Sequence, residues 1–298
     1  MQRVSNLNTD GIVLVDKPEG PTSHDVVSAV RKIFGTRKVG HAGTLDPMAT
    51  GMLVLGLGKA TRLLGYLAAS DKEYVATMRL GMSTETDDAQ GTITQTSSAD
   101  HVTDDALLEV VREFRGPIMQ RPSSVSAIKV QGKRAYARVR DGENVEIPAR
   151  EVVIQDLEIL SIERPEGLHV IDVTVRVVCS AGTYIRALAR DIGDGLEVGG
   201  HLTMLRRTRS GLFTQMTPLE ELRDNPKLVP LADALKIAFP TVTLSPDDAQ
   251  RARHGVRVVA PHDAKSGITA ILDDAGNAIS LANISHNEIV PVVVFASE

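Results

Sequence analysis

The sequence predicts a mixed α/β (α+β) protein, with a large domain over residues 1–240 on a largely antiparallel central sheet and a small β-rich module over 241–298. Three observations predict this. Residues 169–179 alternate strictly, with Ile171, Val173, Val175, Val177 and Cys179 on one face and Asp172, Thr174 and Arg176 on the other. That is the period of a half-buried strand in an antiparallel sheet. Elsewhere apolar residues recur at helical spacing, as at Val26, Val27, Val30, Ile33 and Phe34. Residues 218–242 carry Pro218, Pro226, Pro230 and Pro240, which marks a boundary before the short strands that follow.

Taken in order, Ile12–Val15 is a short apolar run and reads as a buried strand. Asp16–Pro21 breaks it. Ser23 is placed to cap the helix that follows, with Gly35 as its stop. A glycine-rich loop, 41–51, leads into a second apolar strand, Met52–Leu57. Thr103 caps a helix with Asp104 and Asp105 in its first turn, where acids complement the helix dipole. Gly116-Pro117 is expected to end it. Residues 118–150 read as an irregular basic insertion. Ser180-Ala181-Gly182 opens a helix over 184–192 that places Arg186 and Arg190 on one face. In the C-terminal module, Ser245 and Pro246 start a helix closed by Gly255. Strands follow over 268–272, 278–284 and 290–296.

The chain has 298 residues and one cysteine, Cys179, so no internal disulfide is available. Its polar N-terminus and lack of any long apolar stretch predict a cytoplasmic protein without a membrane partner. The formal charge is −5, which by itself argues against nucleic acid. The distribution argues the other way. Residues 121–140 hold Arg121, Lys129, Lys133, Arg134, Arg138 and Arg140 and no acid, with further basic clusters at 186–190 and 206–209. Such runs are either a solvated face or a phosphate-binding footprint.

Several apparent motifs carry no chemistry. Gly56–Thr61 lacks the glycine and Ser/Thr positions of a phosphate loop, and Thr61 occupies the third glycine position of a dinucleotide fingerprint. The eight histidines are scattered without metal-ligand spacing, so no metal or cofactor is expected. Cys179 reads as a buried structural thiol. The absence of tryptophan argues against an aromatic RNA-stacking platform.

One loop is different. Gly40-His41-Ala42-Gly43-Thr44-Leu45-Asp46-Pro47-Met48-Ala49-Thr50-Gly51 holds one carboxylate and one imidazole among residues that let backbone approach a ligand. An ionised carboxylate serves as nucleophile or base, and a nearby arginine keeps it charged. Local chemistry equally allows Asp46-Pro47 to be a plain turn. This loop closely resembles the catalytic loop of TruB-type pseudouridine synthases. Four more segments resemble that family's motifs in the same order: Val15–Ser23, Lys72-Glu73-Tyr74 with Leu80-Gly81, Ser180–Arg186, and Leu205–Gly211.

The resemblance covers about residues 11–215 and implies the pseudouridine-synthase fold. It implies isomerisation of uridine 55 in the tRNA T-loop, with the base flipped out. Asp46 would be the nucleophile, at C6 of the base or C1′ of the ribose. Arg186 would pair with Asp46, Tyr74 would stack on the base and take part in proton transfer, and Leu205 would wall the pocket. His41 would fill the space left in the RNA. Lys17, Pro18 and Gly43 would support the loop. Lys129, Lys133 and Arg134 would grip the T-arm, while Asp87, Asp88, Asp104 and Asp105 lie elsewhere in sequence and leave the RNA face basic. The partner implied is tRNA, bound by a monomer without guide RNA. The alternatives are another RNA target, or a tRNA-binding and folding module in which catalysis is secondary. The 241–298 module resembles a PUA-like domain. Its four basic and seven acidic residues predict a smaller share of RNA affinity than the basic insertion supplies.

Overall fold

The computed structural model describes residues 9–123 and 147–295, together with the backbone of Lys129–Val130 and Lys133–Arg134. The elements that position the site run in chain order as β1 (Gly11–Lys17), α1 (Ser23–Ile33), β2 (Val39–His41), β3 (Thr50–Leu57), β4 (Lys72–Leu80), α2 (Asp104–Glu113), β5 (Gly116–Gln120), β6 (Arg150–Glu163), β7 (Ile171–Cys179), α3 (Ile185–Gly195) and β8 (Gly200–Ser210). They fall into two compact units. One comprises Met1–Leu45, Met52–Ala68 and Gly211–Glu298; the other comprises Asp46–Gly51 and Ala69–Ser210.

The second unit is built on an antiparallel run of strands, β8-β4-β7-β6-β5. The alternation seen in the sequence sets its two faces. β4 and β7 each bury every second residue, and they pair without a slip from Ile171↔Leu80 to Cys179↔Lys72. A one-residue slip would turn Val173, Val175 and Val177 out of the core, so burial itself holds the register. On its other edge β8 meets Thr50 and Gly51, which pair in parallel with Arg206 and Arg207. Leu188 and Ile192 of α3 are buried as well, at the helical spacing expected of a packed face.

Two boundaries differ from expectation. Gly116-Pro117 does not simply stop α2; the helix ends three residues earlier, and Gly116, at φ +92°, starts β5. Residues 118–120, expected within the irregular insertion, are strand instead, because Pro117 to Gln120 continue a ladder with β6.

In the first unit β1 pairs in parallel with Thr217–Pro218 and antiparallel with Val229–Pro230, and β2 pairs antiparallel with the Leu55–Leu57 end of β3. Thr22, not Ser23, caps α1: its hydroxyl accepts from Asp25 N–H and the Asp25 carboxylate accepts from Thr22 N–H, a reciprocal capping box. Ser23 is one residue too far in to cap and is used elsewhere. The proline-rich stretch folds into two short helices, Leu219–Asp224 and Leu231–Ala238, each with a proline at its N-cap. The C-terminal strands form a five-stranded sheet, beside a helix, Pro246–Arg253, capped by Ser245 as expected. Ala270, Leu281 and Phe295 of this region share one buried apolar cluster with Ile12, Met52 and Leu63.

Candidate active site

Asp46 follows a residue that is clamped at both backbone groups. Ser23, 2% exposed, accepts from Leu45 N–H at 2.9 Å and donates to Leu45 C=O at 3.0 Å. After Asp46 the chain turns at once, with Ala49 N–H donating to Asp46 C=O at 3.1 Å. The loop ends at Gly51, φ +95°, where an added Cβ would stand 2.3 Å from Arg207 O. Only glycine fits there. Asp46-Pro47 is thus a turn, and the turn presents a half-exposed carboxylate.

That carboxylate meets a buried guanidinium. Arg186 is the second residue of α3 and 5% exposed. Its Nε lies 3.0 Å from Asp46 Oδ2, its Nη1 donates to Thr86 O at 2.9 Å, and the same nitrogen lies 3.3 Å from Asp88 Oδ2. Asp88 is equally buried and rigid: its Oδ1 accepts from Thr86 Oγ1 at 2.6 Å and from Gln90 N–H at 3.1 Å. One guanidinium is therefore shared by two carboxyl groups. A guanidinium fork held from its far side contacts the Asp46 carboxylate in one orientation. Arg190, one turn along α3, pairs with Asp87 at 2.9 Å and Asp191 at 2.7 Å. Burial pushes the Asp87 carboxyl up, against the pull of Arg190.

Tyr74 and Arg207 face each other across β4 and β8. Both are buried, at 8% and 1% exposure. Burial raises the phenol's pKa, while Arg207, hydrogen-bonded to it, opposes that rise. The Asp46 charge also reaches the phenol and reinforces the rise. Leu205, opposite Ala76, adds an apolar side chain to the same buried face. Lys72 begins β4; burial and then the neighbouring Arg207 bring its amine down to about 8.

This constellation can be set beside known proteins. A family model described as the TruB family pseudouridylate synthase N-terminal domain matches residues 31–185, and one for the tRNA pseudouridylate synthase B C-terminal domain matches residues 186–231. The chain belongs to the TruB family of pseudouridylate synthases. It is 52% identical to the tRNA pseudouridine synthase B of Thermobifida fusca, over 96% of this chain and 99% of that protein. It is 49% identical to the enzyme of the same name from Corynebacterium diphtheriae, over 97% of each. Among solved structures, an H/ACA ribonucleoprotein bound to a substrate RNA containing 2′-deoxyuridine aligns with TM-score 0.72 and 28% identity, over 97% of this chain and 86% of that one.

As a TruB-family isomerase the chain places its expected site residues in both units. Asp46, Tyr74, Arg186 and Leu205 fall together in the second. His41, Gly43, Lys17 and Pro18 fall in the first. There His41 ends β2, with its ring edge-on to His24 at 5.8 Å. Gly43 takes φ +97°. Lys17 is fully buried and its ammonium donates to Pro18 O and Pro21 O, both at 2.8 Å, which ties off the turn after β1. Lys129, Lys133 and Arg134 pair by backbone in two short strands, and their side chains lie outside the described residues. Burial pushes the Cys179 thiol up to about 11, so it is a neutral core group, as expected.

Two residues of this cluster escaped the sequence reading. Asp88 was expected away from the RNA face with its neighbour Asp87, yet it holds Arg186 from behind. Arg207 was expected in a surface basic cluster, yet it is buried against Tyr74. Neither has a periodic signal. The one available hint at Asp88 is its place between Thr86 and Gly91, where an acid that caps its own turn is common.

Proposed function

We propose that this chain isomerises uridine 55 in the T-loop of tRNA to pseudouridine, with Asp46 as the nucleophile. The observation that carries this reading is the Asp46 carboxylate held at 3.0 Å by a buried arginine that is itself braced by Asp88. Asp46 adds to the flipped uridine, the bond from N1 to C1′ breaks, the base rotates and C5 joins C1′; the bond to Asp46 then breaks to restore the free carboxylate, C5 gives up its proton and N1 takes one up. Atoms are only rearranged, so the step uses no oxidant, reductant or water. Tyr74 lies against the base and takes part in moving that proton, and Leu205 walls off its edge.

Extruding a stacked base costs a few kcal/mol. His41 filling the gap offsets part of it. Lys129, Lys133 and Arg134 on the T-arm phosphates offset more. Near full-length similarity to proteins named tRNA pseudouridine synthase B supports tRNA as substrate; the proposal includes a chain that acts alone, without guide RNA. The 241–298 region would act as a PUA-like auxiliary to RNA binding.

The test is tritium release from tRNA labelled at C5 of uridine, with no metal or cofactor added. The wild type should release tritium, and release should stop when the T-loop uridine is replaced by cytidine. Asp46→Asn should bind tRNA within about threefold of wild type and release none. Tight binding without release by the wild type would favour another RNA target or a folding role.

A further inference from the structure

We infer that Gln120, assisted by Ser123, is a positioning residue that sets Arg186 for its work on Asp46. The inference rests on the proposed role of Asp46. Gln120 is the last residue of β5 and is fully buried. Its amide is used on both sides: Oε1 accepts from Tyr184 N–H at 2.7 Å, and Nε2 donates to Tyr184 C=O at 3.0 Å. Tyr184 is the N-cap of α3, and Arg186 stands two residues on. One side chain thus grips both polar groups of the residue that fixes where the helix begins, much as a neighbouring strand would. Tyr184 offers no side-chain cap of its own to that helix.

A second contact converges on the same guanidinium. Ser123, also fully buried, donates its hydroxyl to Thr86 O at 3.1 Å. That carbonyl is the one to which Arg186 Nη1 donates at 2.9 Å. Between them, Arg121 C=O accepts from Arg190 at 2.8 Å, one turn beyond Arg186. Residues 120–123, which lead into the basic insertion, are therefore fastened to both supports of Arg186: the start of its helix and the carbonyl behind it. Only a side chain with a donor and an acceptor at glutamine's reach makes the double contact; methionine has the length and neither group. If Gln120 served only to satisfy buried backbone, its loss would lower stability and leave the chemical step alone. If it positions Arg186, the step itself slows.

The test measures single-turnover tritium release at saturating enzyme, tRNA dissociation constants and melting for Gln120→Met and Ser123→Ala, each alone and combined with Arg186→Lys. Gln120→Met should slow release about 10- to 100-fold, the scale of a misplacement of about 1 Å, with tRNA affinity within about threefold. Ser123→Ala should slow it less, by about three- to tenfold on the same basis. In the Arg186→Lys background either change should cost less than about threefold further, because residues that act through one group are non-additive. A Gln120→Met rate within threefold of wild type, a loss carried by affinity alone, or the same cost with and without Arg186→Lys would overturn the inference. If Gln120→Met does not fold, the Ser123→Ala cycle decides by the same criteria. A wild-type chain that releases no tritium refutes the underlying reading and this inference with it.

Discussion

Arg186→Lys keeps the charge of the buried cluster and removes only its fork. In the wild type, Nε serves Asp46 while Nη1 serves Thr86 O and Asp88. Two carboxylates stay beside the substituted ammonium, so charge balance survives. Removing the cation outright would leave uncompensated buried charge, at about 3–5 kcal/mol. An ammonium is a point donor on a flexible stem and does not span the Asp46 and Asp88 directions in a fixed plane. The expected loss is one charge-assisted hydrogen bond, about 1.5–3 kcal/mol. Asp88 and Thr86 brace the guanidinium from the buried side, and Asp46 is the more exposed of the two carboxylates. The bond to Asp46 is therefore the one that loosens. If the whole loss falls on the transition state, the rate drops about 10- to 150-fold. Single-turnover tritium release with enzyme in excess measures it directly, and melting checks that the fold survives. A well-folded Arg186→Lys within threefold of wild type would show that the fork does not orient Asp46, and would refute the reasoning.

Other expectations follow from the same contacts. Ser23→Ala leaves Leu45 N–H and C=O without their buried partner, so urea unfolding should show a loss of about 2–4 kcal/mol, at about 1–2 for each group. A loss below 0.5 kcal/mol would mean that water takes over both bonds. Gly51→Ala meets both a positive φ and a backbone oxygen at 2.3 Å, so it should express as a poorly folded protein; a normal melting curve would count against the strand pairing at Arg207. Burial brings the Lys72 amine down to about 8 in the folded chain, from an ordinary 10.5. Between those values the unfolded chain binds more protons, so stability should rise with pH across that window relative to Lys72→Met. Equal pH slopes for the two proteins between 8 and 10.5 would show that the Lys72 amine is not depressed.

What the sequence made legible was what repeats or what stays local. β7 was readable because its alternation is the burial pattern itself. The Thr103 and Ser245 caps were readable because a cap and its helix are neighbours in sequence. Ser23 was misread as a cap for an instructive reason: Thr22 and Ser23 are both capping residues, and only the partner at Leu45 decides between them. The four prolines of 218–242 read as a boundary, yet two of them start helices. Pro117 read as a stop, yet sits in a strand at the edge of its sheet, where its missing N–H is tolerated. Asp46 became a candidate by resemblance, not by local chemistry. Asp88 and Arg207 stayed hidden because their meaning lies in partners 98 and 133 positions away. The C-terminal region looked separable by composition, but its side chains share a core with the first strands. A truncation at 240 therefore exposes a buried apolar surface of the first unit.

The order of the chain adds a temporal consequence. Asp46 is made early, Tyr74 soon after, and Arg186 and the strand that carries Leu205 and Arg207 near the end of the second unit. β4 has no β8 to lie against until Ser210 has been added, and Thr50 and Gly51 have no edge to join. A growing polypeptide thus carries Asp46 through nearly half of its length before Arg186, its ion-pair partner, is added. The sheet that joins Tyr74 to Arg207, and Thr50 and Gly51 to the same strand, is complete only when its last strand has been made.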